Sequence, residues 1–182
     1  MIVITGASGQ LGRLVIQELL TSTPASEIVA AVRNPEKVQD LAALGVQVRQ
    51  ADCNQIDTLV SAFTGATKVL LISSSEIGQR VAQHTNVIEA AKQANVGLLA
   101  YTSLLHASDS PLGLATEHQV TEKLLADSGV PYVLLRNGWY TENYMAEYSN
   151  LHCSLVSILG VRAKEELPLP CVPITQPQPR KC

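Results

Sequence analysis

"MIVITGASGQLG", Met1 to Gly12, places three glycines at a spacing of three directly behind a short apolar run. Ile2 to Thr5 has the β-branched character of a buried strand, and Gln10 to Leu20 has Leu11, Val15 and Leu19 on one helical face. The glycines therefore sit in a turn from strand to helix. Gly6 lets the chain reverse, Gly9 offers no β-carbon to whatever approaches, and Gly12 lets the helix close on the strand. Five further apolar runs follow: "IVAAVR" from Ile28, "VQVRQA" from Val46, "KVLLIS" from Lys68, "VGLLAYTS" from Val96 and "PYVLLRN" from Pro131. Amphipathic stretches separate them, such as Gly78 to Gln93 with Val81, Ile88 and Ala91 on one face. Asn34-Pro35 opens a second helix, and Asp127-Ser128-Gly129 closes a later one. Repeated strand and helix units with short connections predict an α/β fold: a doubly wound, Rossmann-like parallel sheet with helices on both faces and six strands.

In such a sheet ligands lie at the carboxyl ends of the strands, beside the first βα turn. The loop Gly6, Ala7, Ser8, Gly9, Gln10, Leu11, Gly12 is that turn, and the helix behind it contributes unpaired N–H groups with partial positive charge. A dinucleotide diphosphate is the occupant this arrangement predicts. The end of the second strand chooses the nucleotide, because an acid there would bond a ribose 2'-hydroxyl and repel a 2'-phosphate. This strand ends on Arg33, whose planar donors suit the 2'-phosphate of NADPH, with Lys37 as a candidate second cation. Asp52, just past the third strand, either faces the adenine or caps its own loop. Ser73, Ser74 and Ser75 follow the fourth strand, where hydroxyls can bond ribose or phosphate oxygens or, alternatively, cap the next helix. "NGWYTEN", Asn137 to Asn143, follows the sixth strand at the same edge and is expected to be a binding loop rather than a plain connection.

Composition narrows the classes. The chain has 182 residues, 46% of them hydrophobic and 16% charged, with a formal charge of -3, so nothing electrostatic favours nucleic acid. The start has no basic segment before its short apolar run, and no later run is long enough to span a bilayer; a cytoplasmic protein without membrane contact is the expectation. Cys53 stands alone and Cys153, Cys171 and Cys182 fall near the end without zinc-type spacing, so free thiols and no metal are expected.

With "ITGASGQLG", "AAVRNPEK", "LLISSSEIGQR", "AYTSLLHASDSPLGLATEH" and "LLRNGWYTENY" in that order, the chain resembles the NmrA-like branch of the atypical short-chain dehydrogenases from Met1 to about Tyr144. The resemblance implies cofactor contacts at Gly6 to Leu11, Arg33, Ser73 to Ser75, and Asn137, Gly138, Trp139, Tyr140, Thr141 and Glu142. It also implies two-electron reduction of a small-molecule quinone by NADPH, although the branch includes non-catalytic NADP(H)-binding redox sensors. Standard short-chain dehydrogenases carry Tyr-x-x-x-Lys, in which the lysine lowers the tyrosine pKa for proton transfer. Here the corresponding helix has His118 and Glu122 at that spacing. The pair reads first as a solvated surface pair worth a few tenths of a kcal/mol, and second as a histidine able to deliver a proton near neutral pH. No catalytic residue follows from the sequence.

The resemblance divides the chain into a cofactor-binding domain, 1–144, and a segment, 145–182, unlike the family. Pro168, Pro170, Pro173, Pro177 and Pro179 exclude helix and interior strand there, predicting a poorly ordered tail. Back-translated and read from the third base of the first codon, 161–182 becomes "AGEGRIASAMRADYAAAAAKV", which is similar to the family's own continuation. The expectation is a one- or two-base shift in the gene near Glu147 to Asn150, and a chain that encodes the cofactor half without the quinone-facing lobe.

Overall fold

The computed structural model describes residues 1–140 and Glu142. Five helices and six strands alternate along it, and the strands form one sheet of order β3-β2-β1-β4-β5-β6. They are β1 (Ile2–Thr5), β2 (Ile28–Val32), β3 (Gln47–Gln50), β4 (Lys68–Leu71), β5 (Leu98–Leu104) and β6 (Tyr132–Asn137). Every neighbouring pair is parallel, with Ile2 opposite both Ile28 and Lys68, and Leu99 opposite Tyr132. The doubly wound expectation holds for all six strands. Parallel neighbours require crossovers, and the two directions of winding from β1 put helices on both faces.

That burial on both faces explains the continuous apolar runs. Along β2 every residue is buried, with Val29 and Ala31 entering one core and Ile28, Ala30 and Val32 the other. Helices α1 (Gln10–Leu19) and α2 (Gln39–Ala43) supply Ile16 and Leu41 to the second core. Helices α3 (Ile56–Phe63), α4 (Arg80–Gln93) and α5 (Ala115–Asp127) supply Leu59, Phe63, Val87, Ile88 and Leu125 to the first. The deepest residues of α1 are Gly12 and Ile16, one step around from the stripe Leu11, Val15 and Leu19, which is only half-buried. The close approach of Gly12 to the glycine loop turns the helix that way.

The helix signals place correctly with one refinement. The side chain of Asn34 accepts from the Glu36 amide, but what it opens is a 3-10 turn, Pro35–Val38, ahead of the short α2. Gly129 follows α5 with φ +76°. On the outer strand β6, Leu134 packs towards the first core while Val133 and Leu135 point to the opposite face and are each 40% exposed. Met1–Trp139 forms one compact unit. Of the tail, 145–182, and of Thr141, Asn143 and Tyr144, the expectations lie outside the described residues. Among the described residues no helix is long and apolar enough to cross a membrane.

Candidate functional site

The glycine loop closes on itself. Gly6 has φ +61°, and its carbonyl accepts from the Gly9 amide at 3.0 Å. A β-carbon on Gly12 would lie 2.5 Å from that carbonyl oxygen and 2.7 Å from the Cα of Ala7, so only glycine allows α1 to begin this close to the strand. The first helical bond of α1 runs from the Arg13 amide to the Gly9 carbonyl at 3.1 Å, which leaves the amides of Gln10, Leu11 and Gly12 ahead of the helical ladder. No side chain caps this end. The arrangement suits an anion with several oxygens.

In front of the loop lies a cavity of about 300 Å³. Thr5, Gly6, Ser8 and Gly9 line it from the first βα turn, Arg33 from the end of β2, Asp52 to Asn54 after β3, and Ser73 to Glu76 after β4. These are the carboxyl ends of four adjacent strands. Of the residues singled out from the sequence, Gly6, Ser8, Gly9, Arg33, Asp52 and Ser73 to Ser75 meet there, whereas Ala7, Gln10, Leu11, Gly12 and Asn137 to Tyr140 are not in its wall. Lys37 is not in the wall; its carbonyl accepts from Arg13, whose guanidinium also pairs with Asp40. That hydrogen bond holds the Asp40 carboxyl below its usual range. Asp52 both lines the cavity and caps its loop, accepting from the Asn54 amide at 2.9 Å. Asn137 ends β6, and its carbonyl accepts from the Leu105 amide at 2.8 Å. Gly138 has open space around it, Trp139 is half exposed, Tyr140 and Glu142 are exposed, and Thr141 is outside the described residues.

The serine segment is anchored from behind by one turn of α4. The amide of Ile72 donates to Thr5 Oγ1 (3.0 Å), that of Ser73 to Thr102 Oγ1 (2.8 Å) and that of Ser74 to His84 Nε2 (3.1 Å). The Ser74 carbonyl accepts from Arg80 Nε at 2.8 Å, and its hydroxyl donates to Gln83 Oε1. The serines do not cap the helix, since α4 begins after Gln79 with no side-chain cap. Ser74 is held by it instead, through Arg80, Gln83 and His84, all buried. Arg80 in turn pairs with Glu117 of α5.

His84 is placed by this network in one tautomer. Its Nε2 accepts from Ser74, so Nδ1 carries the proton towards Thr121 Oγ1 at 3.0 Å, and Thr121 donates onward to the Glu117 carbonyl. Burial, with the Arg80 charge and His118 adding to it, pushes its pKa down to about 3, and the ring stays neutral.

The reading of His118 and Glu122 as a surface pair is wrong. His118 is only 6% exposed, and its Nδ1 lies 2.6 Å from the phenol of Tyr101, a fully buried residue of β5. Burial lowers the His118 pKa and pushes that of Tyr101 up to about 12, so both stay uncharged at neutral pH. Glu122 faces elsewhere, accepting from Ser103 (2.6 Å) and twice from Arg136 (3.0 and 2.8 Å), and the Arg136 bonds hold its carboxyl low. A buried strand phenol needs a polar partner, and that requirement was the signal in the sequence pointing from Tyr101 to a histidine on the next helix. Neither Tyr101 nor His118 lines the cavity.

Comparison with known proteins agrees with this geometry. A family model described as NAD(P)H-binding matches residues 6–152. Quinone oxidoreductase 2 of Escherichia coli (strain K12) is 65% identical over 146 residues, covering 80% of this chain and 51% of that protein. An NmrA-like family domain-containing oxidoreductase, flvB of Aspergillus flavus, is 33% identical over 78% of this chain and 48% of its own length. Among solved structures, the Escherichia coli NADPH-dependent quinone oxidoreductase QOR2 complexed with NADPH superposes with a TM-score of 0.80 at 63% identity, over 82% of this chain and 53% of that one. The Citrobacter sp. triphenylmethane reductase complexed with NADP(H) gives 0.77 at 45% identity, over 79% and 51%. The chain spans about half the length of the curated relatives it matches. A glycine turn under tight steric control, a cavity across four strand ends and a family match over most of the chain converge, and the chain belongs to the NAD(P)H-binding, NmrA-like family.

Proposed function

We propose that this chain carries the NADPH-binding half of an oxidoreductase that reduces quinones by two-electron transfer. The observation that carries the reading is the pairing, across one cavity, of a glycine turn closed tightly on its helix at Gly12 with Arg33 at the end of β2. The 65% identity to Quinone oxidoreductase 2 supports the substrate class. Bound there, NADPH supplies a hydride from its nicotinamide ring.

The amides of Gln10 to Gly12 and the turn around Gly9 hold the diphosphate, and Arg33 offers its donors to the 2'-phosphate. Ser73 to Ser75 would border the nicotinamide half. Because Tyr101 and His118 bond each other outside the cavity wall and His84 turns its Nδ1–H to Thr121, none of them is placed to feed the reaction, and the quinone takes its protons from water. The protein's part is to bind, orient and exclude competing reactions.

Fluorescence titration tests the cofactor half. Arg33→Ala is expected to weaken NADPH about tenfold, the loss of a charge-assisted bond of about 1.5 kcal/mol, and to leave NADH unchanged. Equal affinity of the unaltered chain for NADPH and NADH overturns the clamp. For the substrate half, NADPH oxidation by a quinone is measured on this chain beside a version with the reading frame restored after about Glu147. Turnover by the restored version supports the reading, and its failure with cofactor bound overturns the quinone assignment.

A further inference from the structure

The acid that the last position of β2 lacks arrives from the loop after β4. Glu76, in the loop after β4, accepts from Arg33 Nη1 through Oε1 at 3.0 Å. Its other oxygen, Oε2, accepts from Gln83 Nε2 at 2.7 Å, and its amide donates to Ser74 Oγ at 3.2 Å. Gln83 is itself buried, 3% exposed, and bonded to the Ser74 hydroxyl, so the carboxylate is steered from behind by a fixed amide rather than left free on the surface. In the sheet β2 and β4 flank β1 on either side, so this ion pair runs from one neighbour of β1 to the other. Both partners line the cavity that the glycine loop faces.

A guanidinium in this position has a limited set of in-plane donors, and a carboxylate already seated on one of them is an anion in the place where a 2'-phosphate would arrive. We propose that Glu76 is a second determinant of nucleotide selectivity: a resident carboxylate that competes with the 2'-phosphate of NADP(H) for Arg33 and accepts a hydrogen bond from the 2'-hydroxyl of NAD(H). It thus does from β4 what an acid at the end of β2 does in an NAD-selective sheet. The inference rests on the cofactor reading above. Under it the chain's preference for NADPH is held below what Arg33 alone would give, because the phosphate must share or displace a like charge.

The test is a pair of titrations at low ionic strength, where the competition is least screened. NADPH and NADH report on the whole cofactor, and adenosine 2',5'-bisphosphate and adenosine 5'-monophosphate report on the adenosine end alone. Glu76→Gln, which keeps the shape and the contact with Gln83, is expected to tighten NADPH and the bisphosphate about fivefold, equivalent to about 1 kcal/mol, while NADH weakens about twofold. In an Arg33→Ala background the gain is expected to shrink to less than half. An unchanged NADPH to NADH ratio in Glu76→Gln, with Arg33→Ala still lowering it, overturns the role of Glu76 and leaves the cofactor reading standing. Failure of the unaltered chain to bind either dinucleotide removes both.

Discussion

Replacing Gly12 by alanine is expected to weaken NADPH about a hundredfold and to lower stability by about 2 kcal/mol, the range for forcing an extra carbon into a closed space. The new methyl group would meet the Gly6 carbonyl oxygen at 2.5 Å and Ala7 backbone atoms at 2.7 and 3.1 Å. These are main-chain atoms with no rotamer to change, so relief comes only by moving α1 away from β1 or by opening the turn. Either movement carries the first-turn amides off the diphosphate. Gly113→Ala is the control, because a β-carbon there meets nothing within 4 Å, and it is expected to stay within about 0.5 kcal/mol. Denaturant melts and cofactor titration on both variants check this. An alanine at position 12 that binds NADPH as the unaltered chain does removes the phosphate-cradling role of the turn.

The second large effect is acid sensitivity centred on His84. Its pKa is about 3 in the folded chain and 6.5 when unfolded, so below pH 6.5 the unfolded chain takes up a proton that the folded chain refuses. Its stabilisation is complete above pH 6.5 and drains away as the pH falls towards 3. Between pH 7.5 and pH 5 the loss is expected to be about 2 kcal/mol, and His118, lowered by burial, acts in the same direction. The carboxylates Asp40 and Glu122 are also lowered, but their contributions fall mainly below their ordinary values of 3.8 and 4.5, so the window from pH 5 to 6.5 belongs to the histidines. Urea melts across that window should flatten in His84→Gln. If that variant does not fold, imidazole resonances of the unaltered chain decide the matter: a His84 ring that gains its proton above pH 5.5 contradicts the assignment.

The parts of the fold that were legible in the sequence are those governed by neighbours along the chain. Each strand announced itself as a short apolar run because a parallel strand covered on both faces has no polar side to show. The glycine turn was legible for the same reason: strand, turn and helix are contiguous, and Arg33 follows its strand by one residue. What failed was anything set by a partner distant in sequence. Of the expected face of α4, Ile88 and Ala91 are buried, but Val81 is only half-buried while Arg80, Gln83 and His84 are inside, because Ser74 on one side and Glu117 and Thr121 on the other satisfy their polar atoms. Spacing alone made His118 and Glu122 a surface pair, whereas the phenol of Tyr101 draws one inward and Arg136 holds the other. Glu76 was invisible as a partner of Arg33 for the same reason, since 43 residues separate them.

The anchoring of Ile72, Ser73 and Ser74 has a thermodynamic side. Three successive amides there are already satisfied by Thr5, Thr102 and His84, so the main chain on this wall of the cavity has lost its conformational freedom before any ligand comes. Association then carries little ordering entropy on this side of the cleft, and more of each contact's enthalpy is realised as affinity.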